Sequence, residues 1–386
     1  MEHHGDDRAH QVGRSAQPVP PLPAGDRFDS KSSNWVLTET RRLFDMLGDP
    51  RPGHGLLGVS DPDVHRRGQG WSMFVGAVTT RFAVRIFEAR LPPSADITDD
   101  RWQFVVDGRG RAVPLGPPRR GDWDAAGMHT PSYVRGEVDG EPVERIYYAG
   151  QRSRRMSGPR SRYAIGCLER EDGQWRRRPE PVLCGDAGRP SAMEPFVLWT
   201  SGRWRMWYLA CVGEVGRGEQ PDYELRYTES DDGLRWQAPE RFATSAEGFF
   251  DNTIADGSPG WRMILARGTN LHGTTPFPSQ GLWITESEGP PAGRAGWSRP
   301  QRLLDTDTHA EPWYAAGVCG PACVLDGDDT MHVFATGTHA PISWPREVFH
   351  RLRVRQLPPV PAPFYLATGR ITFRRQPREC TDAGRS

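Results

Sequence analysis

Short apolar runs recur along the chain and are separated by clusters of Gly, Pro, Asp and Asn, a pattern typical of short strands joined by turns. The runs are Met73-Phe74-Val75, Ile146-Tyr147-Tyr148, Met206-Trp207-Tyr208, Met263-Ile264-Leu265 and His332-Val333-Phe334. A sustained helical period is rare. Its main occurrence is Thr38–Leu47, for which we predict a helix.

A second repeated phrase ends in tryptophan and recurs at positions offset from the apolar runs. Trp102, Trp175, Trp236 and Trp297 are spaced 73, 61 and 61 residues apart. A period near 60 residues with about four strands per unit is typical of propeller blades. Two stacked β-sandwiches would not repeat one phrase at matched offsets. We therefore predict an all-β, five-bladed β-propeller with four-stranded antiparallel blades around a central axial pocket.

Composition sets the limits of the propeller. Residues 1–30 are rich in Pro, Gly and charge and are predicted to be a disordered tail, as are residues 376–386. The blades share their packing faces with one another, so residues 31–375 are expected to form a single domain.

Charge and motifs exclude several function classes. Lys+Arg 49 balance Asp+Glu 49, which argues against a nucleic-acid partner. The chain has no apolar stretch long enough for a membrane helix, and its N-terminus lacks a secretory h-region, so no membrane partner and a cytoplasmic location are expected. The cysteines show no metal-binding spacing and no phosphate-binding loop is present, so neither a metal nor a cofactor is predicted.

Aligning the blades on the apolar runs brings five first-strand positions into register. Pro62, Pro195 and Asn252 each lie eleven residues before the methionine of the run that follows. The residues just before them, with their counterparts in the other two blades, are Asp61, Thr130, Glu194, Asp251 and Gly320.

The inner strands of a propeller line one axis, so these five positions are expected to form a ring. An Asp or Glu before proline can simply begin a strand. Three carboxylates in register instead push their pKa values apart, and such a separation is what acid–base catalysis requires.

Several phrases resemble a known group of enzymes. Ser60-Asp61-Pro62, Met193-Glu194-Pro195 and the SDDGLRW phrase that ends at Trp236 are similar to the five-bladed propeller glycosidases, the arabinanase, xylosidase and invertase-like clan that includes glycoside hydrolase families 43 and 32. The resemblance covers most of residues 55–340.

The resemblance implies roles for the ring carboxylates. Asp61 matches the aspartate that acts as base or nucleophile, and we expect it to act as base toward water. Glu194 stands where a second aspartate tunes the pKa and orients substrate, so Glu replaces Asp there. The general acid of the family is a glutamate. Spacing favours Asp251 for this role, whereas the Glu-Gly sequence favours Glu247, and both remain candidates.

Other polar residues are placed by the alignment near the mouth of the pocket. Asp124 precedes the first strand of blade 2, and His129 and Thr130 lie on that strand. Arg162 ends the arginine-rich loop 150–162, and His272 lies on a loop of blade 4 at the same end. These five residues are the candidates for substrate binding.

The sequence therefore predicts a glycoside hydrolase-like enzyme that uses carboxylate acid–base catalysis on a small-molecule glycoside or glycosylated metabolite. Two alternatives stay open. One is a tailoring enzyme that uses the ring on a metabolite other than a polysaccharide. The other is a propeller that binds sugar without catalysis.

Overall fold

The computed structural model describes residues 33–151, 153, 162–212, 222–257, 260–267, 280–308, 311–356 and 358–376. The predicted N-terminal tail lies outside these residues, as does the C-terminal tail beyond Gln376. The described chain is almost entirely β-structure, with one α-helix, α1 (Trp344–Arg353). None of its helices is long and apolar enough to cross a lipid bilayer.

The strands group into five antiparallel blades, which confirms the predicted five-bladed propeller. Strand β1 (Trp35–Asp45) precedes blade 1 in the chain. Blade 1 contains β2 (Leu56–Arg67), β3 (Gly70–Thr79), β4 (Val84–Arg90) and β5 (Gln103–Phe104). Blade 2 contains β6 (Gly127–Val138), β7 (Glu141–Gln151), β8 (Tyr163–Glu171), β9 (Gln174–Arg177) and β10 (Leu183–Cys184).

Blades 3 and 4 each hold four strands in chain order, and blade 5 takes its fourth strand from the start of the chain. Blade 3 contains β11 (Ser191–Thr200), β12 (Arg203–Cys211), β13 (Tyr223–Ser230) and β14 (Glu240–Ala243). Blade 4 contains β15 (Phe249–Asp256), β16 (Trp261–Arg267), β17 (Gly281–Ser287) and β18 (Gln301–Asp305). Blade 5 contains β19 (Val318–Asp326), β20 (Thr330–Thr338), β21 (Leu366–Arg375) and β1.

The closing strand corrects one prediction. Thr38–Leu47 is not a helix, because most of it lies in β1, which pairs antiparallel with β21 from Trp35 opposite Arg375 to Asp45 opposite Ala367. The local apolar spacing is compatible with a helix, but pairing with a distant strand satisfies the backbone and buries Trp35. This pairing closes the ring by joining the two ends of the propeller.

The apolar runs supply the packing between blades. Neighbouring blades bury separate apolar clusters between them, and together these clusters account for all five blade interfaces. Successive side chains of a strand point to opposite faces. Ile146 and Tyr148 accordingly pack toward blade 1, whereas Tyr147 packs toward blade 3. A strand covered on both faces has no polar side, which explains the continuous apolar runs.

A charged network also crosses from blade 1 to blade 2. The Arg67 guanidinium donates to Glu88 at 3.0 Å within its own blade and to Glu144 of blade 2 at 2.9 Å. It also lies over the rings of Phe74 and Tyr133. The side chain is only 13% exposed, so these contacts are made largely away from water.

Candidate active site

Four of the five ring positions share a backbone feature that directs them toward the axis. Asp61, Thr130, Glu194 and Gly320 have left-handed φ angles of 52°, 49°, 50° and 55°. Each lies in a break of register between its strand and the next one, and each is followed by proline. A left-handed residue at such a register break forms a β-bulge, which bends the strand locally and redirects a side chain.

Blade 4 reaches the same position in another way. Its register break begins two residues before the ring residue, at Phe249, and not one residue before it as in the other blades. Asn252 occupies the place that proline takes in the other four blades. The pairing still preserves the alignment: Ile254 pairs with Met263 as Val64 pairs with Met73 in blade 1. Asp251 is therefore in register with Asp61, as the sequence alignment placed it.

These residues enclose one axial pocket. Its volume is about 30 Å³, which is room for roughly two water molecules. Lining side chains include the three ring carboxylates, Thr130, Asn252, Asp63 and Ser132, with Phe196 and the ring prolines completing the wall. The lining residues in the described part of the chain include no Arg, Lys or His. The carboxylates thus lie together without a cation to neutralise them.

Asp61 is positioned by both neighbouring blades. Its backbone N–H donates to the Thr336 hydroxyl of blade 5 at 2.6 Å, and the Ser60 hydroxyl donates to its carboxylate at 2.8 Å. Burial raises the pKa of Asp61 to about 6, although the Ser60 hydroxyl and the backbone N–H of Thr130 favour the charged form. Among the three carboxylates it is therefore the first to ionise as pH rises.

Glu194 experiences the strongest opposition to ionisation. Burial raises its pKa well above 4.5, and the charges of Asp251 and Asp61 raise it further. The Thr130 hydroxyl is the neighbour that favours its charged form. Glu194 is consequently the ring carboxylate best suited to keep a proton near neutral pH.

Asp251 is bound through both of its carboxylate oxygens. The backbone N–H of Gly320, in blade 5, donates to one oxygen at 2.5 Å, and that of Asn252 donates to the other at 3.0 Å. These bonds favour the ionised form, yet burial and the Asp61 charge raise the pKa of Asp251 to about 8. The group is held in one orientation by the backbone of two blades.

A second layer of polar residues holds the blades in register beneath the ring. In three of the five blades, the side chain two positions after the ring residue accepts a hydrogen bond from a backbone N–H of the next blade. Asp63 accepts from Tyr133 at 2.5 Å, Ser132 from Val197 at 2.9 Å and Thr253 from Cys323 at 3.4 Å. These bonds link consecutive inner strands, so the carboxylates are carried on a cross-linked scaffold rather than on loops.

Two other predicted residues lie away from the pocket. Glu247 is in the turn before β15, where its carboxylate accepts hydrogen bonds from the backbone N–H and hydroxyl of Thr244 at 2.8 and 3.2 Å. Asp124 is fully buried beside blade 2 and accepts from the Tyr148 hydroxyl at 2.6 Å and from Arg177 at 3.3 Å. Neither is among the residues that line the pocket. Both make contacts that stabilise local structure.

The remaining candidates occupy different surroundings. His129 is half-buried next to Thr130, its ring meets Tyr163 edge-on at 5.4 Å, and burial lowers its pKa to about 4, so it is neutral near pH 7. Arg162 is exposed immediately before β8. His272 lies outside the described residues.

The sequence alignment overlooked the polar residues that support the ring. Ser60 and Thr336 position Asp61, and Asn252 lies in the pocket wall. One signal for Asn252 was available, since it interrupts the Asp-Pro, Thr-Pro, Glu-Pro and Gly-Pro pattern of the other blades. Thr336 is distant in sequence from Asp61, and no local pattern predicts their contact.

The resulting arrangement has the components of acid–base catalysis. It joins a carboxyl that ionises near pH 6, a second that retains its proton, and a third held by backbone donors. A proton acceptor and a proton donor of separated pKa in one pocket can act on opposite ends of a bond that is being hydrolysed.

Solved structures share this architecture. A glycoside hydrolase aligns with a TM-score of 0.56 and 13% identity, covering 90% of this chain and 94% of its own. A family 117 glycoside hydrolase of the marine bacterium Zobellia galactanivorans aligns with a TM-score of 0.54 and 12% identity, covering 89% and 90%. The alpha-L-arabinofuranosidase PaAbf62A from Podospora anserina, solved in complex with cellotriose, aligns with a TM-score of 0.51 and 12% identity, covering 88% and 98%.

These similarities lie in structure rather than sequence. No protein-family model matches the chain, and no curated protein sequence matches it. At such low identity the likeness shows the fold: the chain has the five-bladed β-propeller of these glycoside hydrolases.

Proposed function

We propose that the protein is a glycoside hydrolase that cleaves a glycosidic bond with the carboxylates of its axial pocket. The observation that carries the proposal is the meeting of Asp61, Glu194 and Asp251, in register on three blades, in one pocket without a lining cation. Likeness of fold to glycoside hydrolases supports the same reaction class. Fold alone does not imply function, so the three carboxylates of the pocket carry the proposal.

The hydrogen bonds and electrostatics favour a division of roles. Asp61, the most readily ionised carboxyl, acts as the base that takes a proton from water. Glu194, which retains its proton, protonates the leaving oxygen, a role that the sequence had left between Asp251 and Glu247. Asp251, fixed by two backbone N–H groups, orients the substrate, while burial and the charge of Asp61 keep the pKa of Glu194 high.

The test is hydrolysis of aryl arabinofuranosides, xylosides, fructosides and galactosides by the wild type, Asp61→Asn and Glu194→Gln. We expect at least one glycoside to be hydrolysed, with kcat reduced by about 10²–10⁴ in each variant because acid–base catalysis contributes that factor. The loss in Glu194→Gln should shrink for a dinitrophenyl leaving group, which departs without protonation. Asp61→Asn should gain nothing from the same group.

A matched control is Asp256→Asn, which changes an exposed aspartate on the strand that carries Asp251. It should retain full activity. A folded protein that hydrolyses none of the glycosides would exclude simple glycosidase activity. That result would favour the tailoring enzyme or the sugar-binding propeller instead.

A further inference from the structure

We infer that Asn252, in the wall of the axial pocket, binds a hydroxyl group of a sugar ring that lies at the mouth of the pocket, and that the site selects a neutral glycon carrying that hydroxyl. The inference rests on the proposed function only for the class of ligand. It concerns binding rather than bond cleavage, so the two are tested by different measurements.

The observation is a buried amide without a partner. Asn252 is only 3% exposed and lines the pocket, yet neither its Oδ1 nor its Nδ2 has a hydrogen-bond partner in the structure. Buried polar groups are nearly always paired, because an unpaired one forfeits its interaction with water. An amide left open in a pocket wall thus indicates a ligand that completes it.

Comparison of the blades shows that the fold does not require an amide here. Pro62, Pro131, Pro195 and Pro321 occupy the corresponding position of the other four blades. Asn252 uses its backbone N–H to bind Asp251, but its side chain contributes to no described hydrogen bond. The side chain is therefore free to bind a ligand without disturbing the carboxylate beside it.

The chemistry of the group restricts the ligand. A carboxamide donates through Nδ2 and accepts through Oδ1, and a hydroxyl is the sugar substituent that can satisfy both. The Thr130 hydroxyl, 7% exposed and beside Glu194, is a second hydrogen-bonding group in the wall. An anionic sugar would face the three ring carboxylates and Asp63 here, and the described lining offers it no cation. These features favour a neutral glycon.

The test compares wild type with Asn252→Leu, a change close in size that removes both hydrogen-bonding atoms. The ligands are free L-arabinose, D-xylose, D-galactose and D-fructose, with the monodeoxy forms of whichever binds, and affinity is measured by calorimetry. We expect the variant to lose roughly ten- to a hundredfold in affinity. For the wild type, removing one particular hydroxyl from the sugar should weaken affinity by a similar factor. For the variant, removing the same hydroxyl should weaken affinity little further.

The stability of the sugar-free protein provides an independent readout. Removing an unsatisfied amide should raise the melting temperature of Asn252→Leu by about 1–3 °C, while one concentration of sugar should stabilise the wild type more than the variant. Asn252→Ser, which retains a hydroxyl and the backbone N–H, should recover part of the affinity.

Thr306→Val is the matched control, because Thr306 is 2% exposed with an unpaired hydroxyl beyond the outer strand of blade 4. It should leave sugar affinity unchanged.

Three results would overturn the inference. Equal sugar affinity in the wild type and Asn252→Leu would exclude contact with the ligand. A lowered melting temperature in Asn252→Leu with no deoxy position coupled to it would indicate that the amide holds a fixed internal water only. Failure of every neutral sugar to bind the folded wild type would refute the ligand class. Sugar binding that depends on Asn252 without turnover of any glycoside would instead uphold the inference and refute the proposed hydrolase.

Discussion

The carboxylate ring should make the protein less stable as pH rises, and Asp251→Asn should remove much of that dependence. The folded-state pKa of Asp251 is about 8 against an ordinary value of 3.8. Between these values the folded state holds a proton that the unfolded state has lost. Folding stability therefore declines with increasing pH through this range, the reverse of the behaviour of a carboxylate in an ion pair.

The magnitude follows from the linkage relation. Each pH unit in this range costs about 1.4 kcal/mol per retained proton. From pH 6 to pH 8 the Asp251 proton alone accounts for about 2 kcal/mol, because the group is half ionised at pH 8, while Asp61, with a pKa of about 6, contributes mainly below this window. Asn252 and Gly320 donate to two oxygens of Asp251, and asparagine offers only one. The lost hydrogen bond should therefore lower the stability of the variant by about 1–3 kcal/mol independently of pH, in addition to the change in slope.

The assay is urea unfolding followed by tryptophan fluorescence at pH 6, 7 and 8. The decline in unfolding free energy from pH 6 to pH 8 should be about 2 kcal/mol smaller in Asp251→Asn than in the wild type. Asp256→Asn, an exposed change on the same strand, should keep the slope of the wild type. Equal slopes in the wild type and Asp251→Asn would refute the view that this carboxyl is protonated in the folded protein.

Two further changes test the scaffold of the ring. Arg67→Met should lower the unfolding free energy by about 1–3 kcal/mol, because Glu88 and Glu144 lose the cation that links their blades. Each glutamate keeps another arginine as a close partner, Arg90 and Arg170, respectively. Arg66→Met, at an exposed neighbour, should change the unfolding free energy little, and equal urea midpoints for the two variants would contradict this role. Gly320→Ala should reduce glycoside turnover at least tenfold, since its Cβ would lie 3.0 Å from the Cα of Asp61. Gly327 has a similar φ but open space around it, so Gly327→Ala should cost only about 1 kcal/mol of stability and leave turnover unchanged. Unchanged turnover in Gly320→Ala would contradict the proposed crowding of Asp61.

Much of the fold follows from local pattern. A propeller blade repeats the same strand and turn requirements in each unit, so matched apolar runs recur in the sequence and reveal the period. The same repetition places equivalent first-strand residues at one height on the axis. For this reason the meeting of Asp61, Glu194 and Asp251 in one pocket was predictable, while their catalytic roles remain proposals.

Two predictions, the helix over Thr38–Leu47 and the acid role of Glu247, each depend on one short segment. The spacing in Thr38–Leu47 is compatible with a helix, and only the distant strand β21 turns it into a closing strand. Glu247 resembles an acid motif by its neighbour, but the turn around it engages its carboxylate with Thr244. In both cases the deciding partner is a contact that the local pattern does not specify.

Periodicity and alternation are local consequences of strand geometry, so the number of blades and the residues that meet on the axis follow from the amino-acid pattern. How acidic each carboxyl is follows only from the folded chain. That property depends on burial, on the charges of other blades, and on backbone donors such as Gly320, which reaches Asp251 from the next blade. Such interactions depend on distances in space, which strand pairing and ring closure establish only when the whole chain has folded.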